Sequence, residues 1–280
     1  METRTFGKEA PVALVTGASS GFGRLTAELL QQEGFWVFGT SRSPKNGESA
    51  VEIIQLDVRN DESVRRCVDE VISRAGRIDV LVNNAGQIHA STIEETSLEQ
   101  ARAVFETNFW GVVRMTNAVL PHLRQRRSGL IINVGSLAGL IGVPGQGFYS
   151  ASKFALEGYS ETLSVELQAF GIRVAIVEPG FFKTNLHQSI TTHTTHDIAA
   201  YRELRTALAA SISSAIERGD DPRKVAEAIV RIATSGDDKL RHRVGDDARW
   251  VPRLKAALPE RAFRKAILRR FAGARDSRDA

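Results

Sequence analysis

Short apolar runs alternate along the chain with longer amphipathic stretches. The runs have the length and composition of buried strands, and they occupy residues 12–16, 35–40, 51–56, 78–82, 130–134 and 173–177, with a further candidate at 239–245. Apolar residues recur at helical spacing in residues 25–30, 61–75, 98–123, 149–167, 199–216 and 222–234. Strands that alternate with helices in this way are typical of βαβ units. No repeat or linker interrupts the pattern, which predicts a single domain over residues 1–280.

A glycine-rich turn, Thr16-Gly17-Ala18-Ser19-Ser20-Gly21-Phe22-Gly23, joins the first strand to the first helix. Glycines at this place let backbone amides approach a pyrophosphate at the positive end of a helix. The G-x-x-x-G-x-G spacing differs from the G-x-G-x-x-G dinucleotide fingerprint. Taken alone, the turn is therefore either a ligand-binding loop or a tight connection.

The end of the second strand bears on the choice between NAD and NADP. An acidic residue there usually binds the ribose 2′-hydroxyl of NAD, whereas a nearby arginine accommodates the 2′-phosphate of NADP. Here the strand runs into Thr40-Ser41-Arg42-Ser43, which contains no acid. The pattern favours NADP(H), with Arg42 as its ligand. The alternative is a solvated loop arginine.

The third and fourth strands also end in candidate ligands. Asp57 and Val58 follow the third strand, and Asp57 is placed either to reach an adenine amino group or to close a turn. The fourth strand runs into Asn83-Asn84-Ala85-Gly86. Small residues at the carboxyl end of a parallel strand leave room for a cofactor against the sheet edge.

Tyr149 and Lys153 stand four residues apart at the start of a predicted helix. Residues at i and i+4 share one helix face. A phenol has an ordinary pKa near 10, and a neighbouring cation lowers that pKa by favouring the phenolate. The pair is therefore interpreted as a general acid and base tuned by an ammonium. A Y-x-x-x-K spacing by itself more often belongs to two surface residues that have this spacing by chance.

Composition excludes several functional classes. The chain of 280 residues is 42% hydrophobic and 25% charged, as in ordinary globular proteins, and Cys67 is its one cysteine, so no internal disulfide forms. Residues 1–9 are polar and lack the apolar run of a signal peptide, and no apolar stretch is long enough to span a bilayer. These features predict a cytoplasmic protein.

The net charge of +4 is distributed unevenly, because 13 Lys or Arg residues against 5 Asp or Glu residues lie beyond residue 238. A basic tail on an acidic body argues against a nucleic-acid surface. The tail, about 250–280, is amphipathic and basic. It is either a helix docked on the substrate lid or on a second subunit, which is the favoured interpretation, or a helix on an anionic membrane.

The regular pattern lapses after Pro179-Gly180. A segment of about 181–216 begins with polar residues rich in threonine and histidine, which suits a substrate-covering lid. His187, His193 and His196 lie within it, but they are not accompanied by cysteine or by a convergent set of carboxylates. No metal site is therefore predicted.

Together these motifs resemble the short-chain dehydrogenase/reductase family. The glycine turn, Asn83-Asn84-Ala85-Gly86, Ser136 after the fifth strand, Tyr149-x-x-x-Lys153 and Pro179-Gly180 occur in the order and at the spacings of that family, over about residues 11–245. The resemblance implies an α/β fold, a Rossmann-like doubly wound parallel sheet of about seven strands in the order 3-2-1-4-5-6-7. It also implies a homodimer or homotetramer.

The resemblance implies a role for each matching position. Ser136, Tyr149, Lys153 and Asn108 are expected to be catalytic, with Asn108 positioning a water near Lys153. The expected cofactor-binding residues are Gly17, Ser19, Ser20, Gly21, Phe22, Gly23, Arg42, Asp57, Val58, Asn84, Ala85, Gly86, Tyr149, Lys153, Pro179, Gly180 and Thr184.

The predicted function is hydride transfer between NADP(H) and a carbonyl or alcohol. Apolar residues at 137–148 and 181–182 favour a hydrophobic substrate, and the sequence is similar to the hydroxysteroid and retinol dehydrogenase branch. Two alternatives are a regulatory protein that senses NADP(H) without turnover and a dehydratase or epimerase on the same fold. The first need not retain Ser136, Tyr149 and Lys153. The second usually carries a larger substrate domain.

Overall fold

A seven-stranded parallel sheet forms the centre of the protein. The computed structural model describes residues 9–44, 51–183, 190–191 and 197–272. The strands are β1 Val12–Val15, β2 Trp36–Ser41, β3 Glu52–Gln55, β4 Val80–Asn83, β5 Ile88–His89, β6 Gly129–Val134, β7 Ile172–Pro179, β8 Ile190–Thr191 and β9 Arg241–Val244. The sheet order is β3-β2-β1-β4-β6-β7-β9. The short strands β5 and β8 pair separately, so the predicted order is confirmed.

Helices cover both faces of this sheet. They are α1 Gly21–Gln32, α2 Asp61–Ala75, α3 Leu98–Phe105, α4 Gly111–Arg126, α5 Gly147–Glu166, α6 Arg202–Glu217, α7 Arg223–Thr234, α8 Asp246–Ala257 and α9 Glu260–Ala272. Helix α2 begins where the sequence predicts, because the Asn60 side chain accepts a hydrogen bond from the Ser63 amide and thereby caps the helix.

Alternate residues of each strand contribute to two different cores. On one face, Val15 of β1 packs in a cluster with Leu30 of α1 and Ile229 of α7. On the other face, Leu14 packs with Met115 of α4 and with residues of α2 and α5. Because successive strand side chains point to opposite faces, burial on both sides requires a continuous apolar run. This is why the strands could be recognised from their composition.

The predicted helix over residues 98–123 is interrupted. A π-turn, Glu106–Trp110, separates α3 from α4, and the amide of Gly111 donates to the carbonyl of Glu106 five residues earlier. The π-turn contains Asn108, which is buried. The short β5–β8 pair was also not predicted, because two-residue strands carry no periodic signal.

The basic tail forms two helices, and Pro259 lies between them. Helix α9 packs on α6, where the Ser211 hydroxyl donates to the carbonyl of Arg270 at 3.2 Å. Phe271 is buried at 3% exposure, in a cluster that includes Leu208 of α6. Trp250 and Leu268 remain exposed. Within the described residues, no helix combines the length and apolar character needed to cross a bilayer.

Candidate active site

A cleft with a volume of about 620 Å³ opens at the carboxyl ends of the central strands. Strands of a doubly wound sheet bring their following loops to this edge. The predicted residues that line it are Gly17, Ser19, Ser20, Gly21, Phe22, Arg42, Asp57, Val58, Asn84, Ala85, Gly86, Ser136, Tyr149, Lys153, Pro179 and Gly180. Gly23 and Asn108 lie behind the lining. Thr184 lies outside the described residues.

Asn84 shapes the glycine turn. Its side-chain amide donates to the carbonyls of Thr16 at 2.9 Å and Gly17 at 3.1 Å. In return, the Thr16 hydroxyl accepts from the amides of Asn84 at 2.9 Å and Ala85 at 3.0 Å. These four bonds tie the turn after β1 to the segment after β4. Asn84 therefore acts on the cleft partly by fixing the shape of the turn.

Two glycines are required by this packing. Gly17 has a φ of +67°, which is unfavourable for residues with a side chain. A side chain at Gly23 would overlap both the Asn84 amide nitrogen and the Gly17 carbonyl oxygen. The first turn of α1 can therefore approach the sheet edge closely only because these positions lack a Cβ atom.

The amino end of α1 fits an anionic group. Ser20 occupies the N-cap position without a side-chain hydrogen bond to the helix, and the first turn contains no acidic residue. The leading backbone amides of a helix are unpaired within the helix and carry partial positive charge. Ser19, Ser20, Gly21 and Phe22 line the cleft here. The arrangement fits the pyrophosphate of a dinucleotide.

A group of polar residues forms the far end of the cleft. Arg42 is exposed on this rim. Asp57 accepts hydrogen bonds from Arg59 Nε at 2.9 Å and Nη2 at 2.6 Å. Arg59 thereby lowers the pKa of Asp57. Arg59 was not predicted from the sequence as a cleft residue. Its position between β3 and the Asn60 cap could have indicated this, because the loop after β3 lies at the same edge of the sheet.

The opposite end contains Tyr149, Ser136 and Lys153. The Tyr149 and Ser136 side chains both line the cleft here, and their interaction favours the Tyr149 phenolate. Lys153 is 6% exposed, and its ammonium donates to the carbonyl of Val134 at 2.7 Å. The Lys153 nitrogen lies 5.8 Å from the centroid of the Tyr149 ring. The end of β6 and the first turns of α5 thus bring the three predicted side chains together.

The expected effect of Lys153 on Tyr149 is wrong in this structure. Burial raises the pKa of the Tyr149 phenol above its ordinary value, and the interaction with Ser136 opposes that rise. Burial also lowers the pKa of Lys153 to about 8, against the effect of the Glu157 charge. Desolvation disfavours each charged form and here outweighs the opposing effects of Ser136 on Tyr149 and of Glu157 on Lys153. The phenol is therefore protonated at neutral pH.

Asn108 has a full set of protein partners. Its side-chain oxygen accepts from the Gln87 amide at 2.8 Å, while its nitrogen donates to the Gln87 carbonyl at 2.9 Å and to the Ser152 hydroxyl at 3.2 Å. These bonds hold the segment after β4 against α5. Asn108 is thus a satisfied buried group in this structure, and its expected water-positioning role stays a prediction.

Several residues that line the cleft belong to no recognisable sequence motif and were not predicted, among them Arg24, Thr40, Gln87, Gln146 and Ile216. They come from two helices, a strand and loops, and only the fold brings them together. No metal-binding group of three or more His, Cys, Asp or Glu side chains occurs among the residues that the structure describes. His187, His193 and His196 lie outside them.

Comparison with known proteins finds relatives that are dehydrogenases and reductases. A sequence model of the short chain dehydrogenase family matches residues 11–195. A 3-ketodihydrosphingosine reductase of Bacteroides thetaiotaomicron is 41% identical over 263 residues, covering 91% of this chain and 96% of that protein. Retinol dehydrogenase 8 of Bos taurus is 38% identical over 268 residues, covering 87% and 84%. A solved short-chain dehydrogenase from Streptomyces avermitilis has a TM-score of 0.80 at 36% identity, covering 93% and 96%.

Proposed function

Because this chain belongs to the short-chain dehydrogenase family, whose members are oxidoreductases that use a nicotinamide cofactor, we propose that it interconverts a hydrophobic ketone or aldehyde and its alcohol with NADP(H). The observation that carries the proposal is the convergence of Tyr149, Ser136 and Lys153 on one wall of the cleft. A sensing protein without turnover has no need for this arrangement.

The side chains at this wall account for the proton chemistry. A bound nicotinamide supplies hydride to a carbonyl carbon or accepts it from an alcohol. Tyr149, which is protonated at neutral pH, donates its proton to the carbonyl oxygen during reduction. Ser136 donates a hydrogen bond to the same oxygen and stabilises its developing negative charge. Lys153 would hold the ribose hydroxyls, as the family resemblance implies.

The preference for NADP(H) is supported by the rim formed by Ser41, Arg42 and Arg59. Arg42 would bind the 2′-phosphate, because a guanidinium matches phosphate geometry and stays charged. We expect NADPH to be preferred over NADH. Arg42→Ala should raise KM for NADPH about tenfold or more and leave KM for NADH within about twofold, since a charge-assisted hydrogen bond contributes about 1.5–3 kcal/mol. Arg65→Ala, which removes a distant surface arginine, is the matched control. A wild-type preference for NADH would contradict the proposal.

The substrate is proposed to be a long, apolar carbonyl compound or alcohol. Leu137, Val143, Phe181, Phe182 and Ile216 line the cleft. The names of two relatives, a 3-ketodihydrosphingosine reductase and a retinol dehydrogenase, designate lipid-like substrates. Absorbance at the nicotinamide band should show a higher kcat/KM for 3-ketodihydrosphingosine or retinal than for a short water-soluble ketone. Turnover of the short ketone alone would exclude an apolar substrate.

A homo-oligomer is proposed from exposed apolar side chains on the π-turn and on α5. Trp110 at the end of the π-turn is 48% exposed, and Val165 of α5 is 70% exposed. Large apolar side chains at the surface are common at subunit interfaces. Light scattering on the purified protein should give the mass of a dimer or tetramer, and a monomer at micromolar concentration would contradict this.

A further inference from the structure

Two buried glutamates lie next to the candidate active site without lining its cleft. Glu157 of α5 is 7% exposed, and Glu178 near the end of β7 is 0% exposed. Carboxylates are rarely buried unless they are paired with charges or hydrogen-bonded. The proposed reaction uses neither of them, so their position requires a separate explanation.

The two carboxyl groups lie close together, since Arg241 Nε is 3.2 Å from Glu157 and 3.6 Å from Glu178. One oxygen of each, Glu157 Oε1 and Glu178 Oε1, is buried without a hydrogen-bond partner if both groups are ionised. A proton on Glu157 would let its carboxyl group donate to Glu178 and would give both oxygens a partner. Burial and the neighbouring Glu178 charge raise the pKa of Glu157 to about 7. The shared proton therefore leaves near neutral pH.

Charged groups face the pair from two elements, α5 and β9. Helix α5 contributes Lys153 and Glu161. Strand β9 contributes Arg241, whose Nε lies 3.2 Å from Glu157 and 3.6 Å from Glu178, and Arg243, whose Nε lies 3.1 Å from Glu178. Arg241 also pairs with the exposed Glu161 at 2.5 Å. The two arginines stabilise the ionised carboxylates from the side of β9. Lys153 is the cation that faces the pair from the side of the active site.

Glu157 lies one helical turn after Lys153, so the two side chains share a face of α5. The end of β6 lies beside both of them. Lys153 donates to the carbonyl of Val134, and a side chain at the next residue, Gly135, would lie 3.2 Å from Glu157 Oε1. Ser136 follows directly. The carboxyl group is thus separated from the catalytic wall only by the backbone that carries Ser136.

We propose that Glu157, which shares one proton with Glu178 and lies one helical turn after Lys153, is a positioning residue for the proposed reaction: its carboxylate, once ionised, holds the Lys153 ammonium beside Tyr149. The inference rests on the proposed function for its kinetic test. Without this charge, burial would deprotonate Lys153 at a lower pH, and the ammonium beside the phenol would be lost.

The test is the pH dependence of kcat/KM for ketone reduction by NADPH. Glu157→Gln keeps the shape and a hydrogen-bond donor towards Glu178 but cannot become charged. We expect the basic limb of its profile to shift towards acid by about one pH unit, the order of effect of a charged neighbour on a pKa. KM for NADPH at pH 7 should remain within about twofold of wild type, since the group does not line the cleft. Glu157→Asp, which restores the charge, should recover part of the shift.

Glu161→Gln is the matched control. Glu161 lies one turn further along α5 and pairs with the same Arg241, but it is exposed. Its replacement should leave the basic limb in place. A wild-type profile for Glu157→Gln, or an equal shift for Glu161→Gln, would overturn the proposal.

Two measurements that need no turnover keep the proposal testable. Infrared spectra of the wild-type protein should show a protonated carboxyl band that disappears near neutral pH, and a protein without such a band would contradict the shared proton even if Glu157→Gln does not fold. NMR of 13C-labelled lysine side chains should show Lys153 deprotonating at lower pH in Glu157→Gln than in wild type. If no carbonyl compound is turned over, the proposed function fails, whereas these spectra still decide the role of Glu157.

Discussion

Replacement of Gly23 by alanine should break the hydrogen bonds that join the glycine turn to the segment after β4. The added methyl would overlap the Asn84 amide nitrogen and the Gly17 carbonyl oxygen. These atoms belong to one hydrogen bond of 3.1 Å, and the same nitrogen donates to Thr16 at 2.9 Å. The Asn84 side chain must therefore move, and both bonds are lost or lengthened.

The size of the effect follows from these contacts. Two hydrogen bonds contribute about 1 kcal/mol each, and overpacking of a close contact costs about 1–3 kcal/mol. The higher helix propensity of alanine returns about 1 kcal/mol. We expect a net loss of about 2–4 kcal/mol in the free energy of unfolding. This corresponds to a fall in Tm of about 3–7 °C for a chain of this size.

Thermal unfolding with and without NADPH measures both consequences. Gly23→Ala should lower Tm and also reduce the increase in Tm that NADPH produces, because the turn lines the cofactor end of the cleft. Gly158→Ala is the control, since Gly158 is an exposed residue of α5 with no atom within 4 Å of an added Cβ. It should leave Tm unchanged or raise it. Wild-type Tm and NADPH binding in Gly23→Ala would refute the role given to Asn84.

Three further substitutions test the site and its surroundings. Tyr149→Phe should remove most of kcat, by about a hundredfold or more, while the Kd for NADPH measured by fluorescence stays near the wild-type value; wild-type turnover would contradict the proton-donor role. Lys153→Met should abolish activity yet raise stability at pH 7 by about 2 kcal/mol, because it removes a buried ammonium. Since burial lowers the pKa of Lys153 from 10.5 to about 8, this gain should be complete below about pH 8 and should disappear as the pH rises towards 10.5, which unfolding curves at several pH values will show. Arg205→Met leaves the fully buried Glu95 without its ion pair to α6. The substitution should lower the free energy of unfolding by about 3 kcal/mol and raise KM for the substrate. An unchanged KM would show that this ion pair does not hold α6 over the cleft.

The strand order and most of the cleft could be predicted because they depend on local signals. Buried strands are continuous apolar runs, and the carboxyl ends of parallel strands meet at one edge. Gly17, Ser136 and Tyr149 each follow such an element within a few residues. Their convergence is a consequence of topology, and so the motif order was sufficient to place them together.

The remaining features depend on packing that sequence spacing does not encode. The pKa of Tyr149 was expected to fall because Lys153 is near, but the extent of burial decides the direction, and burial is a property of the folded chain. Arg59 pairs with Asp57 across a loop without a periodic pattern. The Glu157–Glu178 pair joins residues from α5 and β7, with their arginines on β9, and no local motif connects them.

The π-turn has a consequence for the angular setting of the helices on either side of it. An α-helix advances by about 100° per residue, so the wider turn at Glu106–Trp110 changes the rotational phase of α4 relative to α3. Helix α3 can therefore present its apolar side to α5 while α4 presents its own to α2. Asn108, at the point of that phase change, faces the segment after β4. Because of this one widened turn, a continuous helical segment packs on α5 through α3 and on α2 through α4, while Asn108 binds the backbone after β4.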